Sequence, residues 1–238
     1  MVLMLKTKIN GQWDIMLPEH RAARPEWKTE QGWEKARLDH MSKNLGKGDV
    51  IAYIGAEEGE MPALCQMWGA KVFLIEPNPK VWPNIKAIWE ANYLDLPYGY
   101  FVGFASNITD RNPSQLNFED GDRDGWPICS YDEVIGDHAF RQLNEQALFT
   151  PQIKIDDTIS PITALSIDVE GSEWRVLEGA AETIKRDKPK IWLSGHPEFM
   201  FHQYDEYLSD LRGWIKAFGY TEELLDYDHE CHLYYEGS

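Results

Sequence analysis

Between Asp49 and Pro79 the chain reads DVIAYIGAEEGEMPALCQMWGAKVFLIEPNP, and no other stretch restricts its fold as strongly. Val50 to Ile54 is a short apolar run rich in β-branched residues, and it stops at Gly55-Ala56-Glu57-Glu58-Gly59. A helical stretch from about Met61 to Trp68 follows, then a second apolar run, Val72 to Ile75, closed by Glu76-Pro77-Asn78-Pro79. Strand, glycine turn, helix, strand and terminal acid is the plan of a nucleotide-binding βαβ unit. Glycines let the backbone pass close to a ligand, and the helix N-terminus offers free N–H groups. Glu76 stands where such units grip a ribose hydroxyl pair.

The turn narrows the choice of ligand. A dinucleotide turn carries three glycines, G-x-G-x-x-G. Only Gly55 and Gly59 are present here. Glu57 and Glu58 would repel a pyrophosphate at close range. They suit a ligand with positive charge, such as the sulfonium and ammonium of S-adenosylmethionine. A tight turn in an ordinary α/β protein accounts for the glycines alone, but less well for the glycines together with the Glu76 block.

Composition sets outer limits. A length of 238 residues allows one large or two small domains, and 43% hydrophobic content with 10 Trp, 11 Tyr and 9 Phe is ample for a core. The net charge of −17 repels phosphate backbones and anionic membranes, and no run of Lys and Arg offsets it locally. Neither a nucleic-acid partner nor a membrane span is expected. Cys65, Cys129 and Cys231 show no metal spacing and cannot all pair, which points to a reducing, cytoplasmic setting. Met1–Leu5 is apolar but is followed by Lys6 and Lys8, so it does not read as a signal peptide.

Residues 1–31 read as irregular, a lid or an interface strap. A helix is expected from Glu30 to Leu45, with Trp33, Ala36, Leu38, Met41 and Leu45 on one side. Glu34 then either approaches the glycine turn or is a solvated acid. A second helix is expected from Lys80 to Tyr93 and a third strand from Tyr98 to Phe104. Ala105-Ser106-Asn107 lies at that strand's end, where open α/β sheets bind ligands, so Ser106 and Asn107 are candidates to meet an adenine edge. The run Glu119 to Gly125 begins like a calcium loop, but the twelfth position from Asp120 is Tyr131, where a glutamate is required. It reads as a solvated acidic loop. His138, near a short helix from Ala139 to Leu148, reads as a surface or packing residue.

A second informative stretch covers residues 153–180. Ala164 to Ile167 is a buried type of strand with Asp168 at its carboxyl end; Ser172 is placed to cap the next helix, and Glu173 falls in its first turn. Lys190 to Leu193 is another strand, followed by Ser194-Gly195-His196-Pro197. Asp168 and His196 thus end consecutive strands. In a parallel sheet these ends are neighbours, close to the glycine turn, and the pair can do general-base work or hold a metal. A helix from Tyr204 to Phe218 and strands Tyr220–Leu225 and His232–Tyr235, joined by Asp226-Tyr227-Asp228-His229, complete the chain. The expected fold is α/β: a Rossmann-like, seven-stranded, mostly parallel sheet with helices on both faces and an antiparallel strand near the C-terminus. It forms one domain over residues 1–238, with residues 1–45 as strap and helix and 46–238 as core.

From about Trp33 onward the chain resembles class I S-adenosylmethionine-dependent methyltransferases of the FkbM type. The resemblance rests on Gly48-Asp49-Val50 leading to Gly55-Ala56-x-x-Gly59, and on Glu76-Pro77-Asn78-Pro79. Its most specific part is Ile167-Asp168-Val169-Glu170-Gly171-Ser172-Glu173 with Val176-Leu177-x-Gly179-Ala180. Val102 to Asn107 is also similar to the adenine-binding stretch of catechol O-methyltransferase. The resemblance implies an O-methyltransferase acting on a hydroxyl of a sugar, polyketide or other small molecule. The cofactor-binding candidates are Glu34, Gly55, Ala56, Glu57, Gly59, Glu76, Pro77, Asn78, Ser106, Asn107 and Asp168. Asp168 and His196 are the catalytic candidates, and the same two are candidates for a divalent metal. Four positions depart from the family pattern: Asp is usual at Tyr53, Asn at Glu57, Lys at Ser166 and Glu at Ser194. Glu57 is expected to replace the charge missing at Tyr53. Two alternatives stay open. One is a non-catalytic relative that acts as a binding module; the other is a nicotinamide-dependent oxidoreductase, against which the missing third glycine and acidic turn argue.

Overall fold

The computed structural model describes residues 2–110, 117–119, 125–130, 150–227 and 230–237. Asp120, Tyr131, His138 and the Asp228-His229 turn lie outside them. The chain opens with an antiparallel hairpin, β1 (Met4–Ile9) and β2 (Trp13–Pro18), a short helix α1 (Glu19–Ala22) and a helical turn, Pro25–Lys28. Then come α2 (Lys35–Asn44), β3 (Val50–Ile54), α3 (Glu60–Met67), β4 (Lys71–Ile75), α4 (Trp82–Ala91) and β5 (Gly99–Phe101). The middle holds β6 (Phe104–Ala105), β7 (Asn117–Glu119), β8 (Ile128–Ser130) and β9 (Gln152–Ile153). The last part runs β10 (Ala164–Asp168), α5 (Glu173–Glu178), α6 (Ala181–Asp187), β11 (Lys190–Gly195), α7 (Pro197–Tyr204), α8 (Leu208–Ala217), β12 (Tyr220–Tyr227) and β13 (Cys231–Gly237).

Seven strands form the main sheet in the order β12-β13-β11-β10-β3-β4-β5, with β13 alone running against the rest. The central strands are apolar throughout because both their faces are covered. Ile51 and Tyr53 of β3 point to one apolar layer with Leu38, Leu64 and Ile85 of α2, α3 and α4. Ala52 and Ile54 alternate to the other, with Val176, Ile184 and Leu211 of α5, α6 and α8. The expected Rossmann-like sheet with helices on both faces is therefore what forms. No described helix is long and apolar enough to cross a membrane.

Local departures have local causes. The N-terminal segment is ordered rather than irregular: Ile9, Ile15, Leu17 and Trp27 are buried in the layer of α2, α3 and α4. Asn92 at the end of α4 pins the hairpin by accepting from the Met16 N–H and donating to the Met16 carbonyl, both at 2.8 Å. The helix expected from Glu30 begins only at Lys35, because Gly32 and Glu34 have positive φ. The third strand ends at Phe101. Gly103 lies so close to the Pro151 carbonyl that the chain leaves the sheet there and β6 pairs with β9. Asp205, at φ +54°, divides the expected C-terminal helix into α7 and α8.

Candidate active site

The glycine turn follows β3 and meets the end of β10. A Cβ placed on Gly55, whose φ is +83°, would lie 1.8 Å from the Asp168 carbonyl oxygen. Only glycine permits this approach, and it brings the turn against the acid at the neighbouring strand end. Gly59 packs on Ile85, where an added Cβ would find Cγ1 at 3.0 Å. The N–H groups of Gly55 and Ala56 both reach the Ile75 carbonyl. Beside them, the buried Glu76 carboxylate accepts the Glu57 N–H at 2.9 Å on one oxygen and the Asn78 N–H at 2.8 Å on the other. Burial raises its pKa from the usual 4.5 to about 7, and the two N–H bonds restrain that rise. Glu76, Pro77 and Asn78 thus form a structured acid corner at the end of β4.

Asp168 is the centre of a second group. Arg37, buried on α2, donates to Asp168 Oδ2 at 3.1 Å and to Ser166 Oγ at 2.6 Å, and is also paired with Glu34. On the other side of Asp168, His196 Nε2 lies 3.8 Å from Oδ1. His196 Nδ1 is 2.7 Å from the fully buried Glu173, and its Nε2 is 3.1 Å from Glu230 on the β12–β13 turn. Burial disfavours a charged imidazole, but the Glu173 and Glu230 carboxylates outweigh it and raise the His196 pKa to about 10. The two carboxylates therefore favour the protonated ring over a free base. Burial, with the Glu34 charge second, raises the Asp168 pKa to about 7. Ser172 makes no capping bond, so the first turn of α5 is organised instead by Glu173, which accepts the Gly171 N–H at 3.1 Å.

A cleft of about 340 Å³ opens beside this group, lined by Trp33, Glu34, Asp226, Tyr227, Glu230 and His232 among others. Ser106 and Asn107 lie off the main sheet, just after β6. Asn107 donates to Glu178 at 2.9 Å, and a Cβ on Gly179 would lie 1.9 Å from the Ser106 carbonyl oxygen. Gly179 thus serves the close packing of this stretch on the end of α5.

The family model described as the methyltransferase FkbM domain matches residues 49–222, which include the glycine turn, the Glu76 corner and the Asp168–His196 pair. The chain belongs to the FkbM methyltransferase family. Among solved structures, an FkbM methyltransferase from Methylobacillus flagellatus KT has a TM-score of 0.52 and 17% identity, covering 85% of this chain. The match spans 58% of that protein's length. A putative rRNA methylase from Clostridium thermocellum has a TM-score of 0.50 at 9% identity, covering 84% of this chain and 92% of that one. At these identities the likeness is one of fold. No curated protein matches the sequence.

The FkbM-family departures resolve structurally. Glu57, expected to replace the charge missing at Tyr53, has its carboxylate held by Arg21 of α1 in two bonds of 3.0 and 3.1 Å. The same guanidinium pairs with the buried Glu60, while His20 lies 2.7 Å from Glu58, so the acidic turn is clamped by the N-terminal segment. The carboxylates that act on the buried Tyr53 are Glu34 and Asp168. The cation expected at Ser166 is supplied by Arg37, whose guanidinium also lies 5.9 Å from the Tyr53 ring. Ser194 pairs across the sheet with His232, its hydroxyl 3.0 Å from Nδ1. Sequence reasoning brought Asp168 and His196 together but missed Arg21, Arg37, Glu173 and Glu230. Arg37 had a faint signal, since it lies three residues after Glu34 on one helix face. Glu230 had none.

Proposed function

We propose that this FkbM-family chain, folded as a single domain, transfers the methyl group of S-adenosylmethionine to a hydroxyl oxygen of a sugar or another small molecule. The observation that carries this reading is the contact of the Gly55 turn with the Asp168 carbonyl. It supports the reading because the glycine turn, taken as the nucleoside site, lies against Asp168, taken as part of the acceptor site. In the reaction the sulfonium–carbon bond breaks as the oxygen–carbon bond forms. The electron pair stays on sulfur, giving S-adenosylhomocysteine, and the hydroxyl proton passes to the Asp168 carboxylate and on to solvent. Glu76 accepts from the ribose hydroxyls, and Ser106 and Asn107 border the base. Gly55, Ala56 and Gly59 line the turn, and the Asp168–His196–Glu230 cluster receives the acceptor oxygen. Much of the rate gain is positional, because the sulfur, methyl carbon and oxygen must lie in line.

The clamped Glu57 is a wall of the turn in this reading rather than the partner of the sulfonium. The net charge of −17 favours a small or glycan acceptor over nucleic acid. A reducing, cytoplasmic setting suits the free thiols of Cys65 and Cys231. The test is a thermal-shift comparison of S-adenosylmethionine, S-adenosylhomocysteine and NAD, followed by a screen of glycosides and small alcohols for S-adenosylhomocysteine release. The first two ligands should raise the melting temperature and NAD should not. Stabilisation by NAD alone would favour the oxidoreductase, whereas stabilisation by S-adenosylmethionine without turnover on any acceptor would favour a binding module.

A further inference from the structure

We propose that Asp168, His196 and Glu230 bind one divalent metal ion of the Mn²⁺ class. One ligand atom from each residue lies within 4.8 Å of the others. Metal bonds of about 2.0–2.2 Å put adjacent ligand atoms about 3 Å apart. The His196 Nε2–Glu230 Oε2 separation of 3.1 Å already meets this, whereas Asp168 Oδ1, at 3.8 Å from Nε2, has to move closer on an ion.

The surroundings distinguish this group from a chance cluster of acids. Glu173 is fully buried and holds His196 Nδ1 at 2.7 Å. A carboxylate on one ring nitrogen fixes the tautomer and turns the other nitrogen toward an ion, an arrangement common to metal-binding histidines. Nε2 is the nitrogen that faces Asp168 and Glu230, and an ion bound there takes the place of the Nε2 proton, which leaves to solvent. Arg37 holds Asp168 by Oδ2, which leaves Oδ1 directed at His196. Each ligand comes from a different strand end or turn: Asp168 closes β10, His196 follows β11 and Glu230 precedes β13. The main sheet therefore aligns all three. One imidazole with two carboxylates is a mixed nitrogen and oxygen set, which suits a first-row divalent ion better than Ca²⁺.

The function of the ion rests on the methyl-transfer reading. Its open positions would adjoin the cleft that Glu230 lines, where the ion would supply Lewis acidity to an acceptor hydroxyl. Ion binding itself does not depend on that reading. The experiment is a Mn²⁺ titration of the full chain, followed by electron paramagnetic resonance in the absence of S-adenosylmethionine. One Mn²⁺ per chain should bind more tightly than the diffuse ions around an acidic protein. Glu230→Gln and His196→Ala should remove that site. Glu173→Gln, which touches no ion, should weaken it about 10–100-fold. Asp14→Asn, in the N-terminal hairpin, should leave it unchanged. Melting curves in EDTA establish that each variant folds, and if His196→Ala does not, the two glutamine variants decide the question. Absence of a tight site, or an equal one in Glu230→Gln and Glu173→Gln, overturns the proposal. Calorimetry with S-adenosylmethionine in EDTA tests the cofactor reading separately.

Discussion

Substituting Glu76 tests the cofactor corner with the least ambiguity. Its two oxygens each accept one backbone N–H, from Glu57 and from Asn78. In Glu76→Gln one of those N–H groups faces an NH₂ and loses its acceptor, a cost of about 1–3 kcal/mol. The substitution also removes a buried charge. A pKa raised from 4.5 to about 7 corresponds to roughly 3 kcal/mol against the ionised form at high pH. The two effects nearly cancel, so the variant should fold and its affinity can be read directly. In the proposed complex ribose hydroxyls donate to the ionised carboxylate, and losing such bonds costs about 1.5–3 kcal/mol. S-adenosylmethionine should therefore bind about 10–150-fold more weakly. The pH dependence adds a second readout. Below pH 7 the carboxyl is mostly protonated in the free protein and must release that proton on binding. Wild-type affinity should fall about tenfold per pH unit below 7 and level off above it, whereas Glu76→Gln should show no such slope. Calorimetry in two buffers of different ionisation enthalpy measures both the affinity and the proton released. Equal affinity, or parallel pH profiles for the two proteins, would refute the assignment.

Four further outcomes are expected. Gly55→Ala should destabilise by several kcal/mol, about 3 or more, because the new methyl meets backbone at a positive φ; chemical denaturation measures this. Arg21→Ala strands the buried Glu60 and should cost about 3–5 kcal/mol, with partial recovery in Arg21→Ala/Glu60→Gln. Asp168→Asn should lower turnover by about 10²–10⁴ with cofactor affinity nearly unchanged, provided an acceptor is in hand. Glu222 accepts from Arg212, Lys216 and Tyr235, and its pKa falls from 4.5 to about 2, chiefly through the Arg212 bond. Its contribution, at most about 3 kcal/mol, is present above pH 4.5 and lost as pH falls toward 2, so the stability gap between wild type and Glu222→Gln should close over that range.

The sequence by itself determined the parts governed by short-range pattern. Apolar runs ending in Gly55, Glu76 and Asp168 specify buried strands and what lies at their ends, because strand burial and glycine turns are written within a few residues. The mostly parallel sheet with helices on both faces followed from the βαβ alternation, whereas its strand order came from the structure. The placement of Asp168 and His196 together needed only the rule that consecutive parallel strands end side by side. Tertiary structure alone decided the electrical character of the site. Arg37 reaches Asp168 across 131 positions of chain and Arg21 reaches Glu57 across 36, and no local periodicity announces either bond. Glu57 thereby lost the free charge that its place in the turn had suggested. His196 stands among carboxylates because Glu173 and Glu230 converge on it from other elements. A side chain's charge state depends on every element that desolvates it or faces it, and those neighbours exist only once the chain has closed on itself.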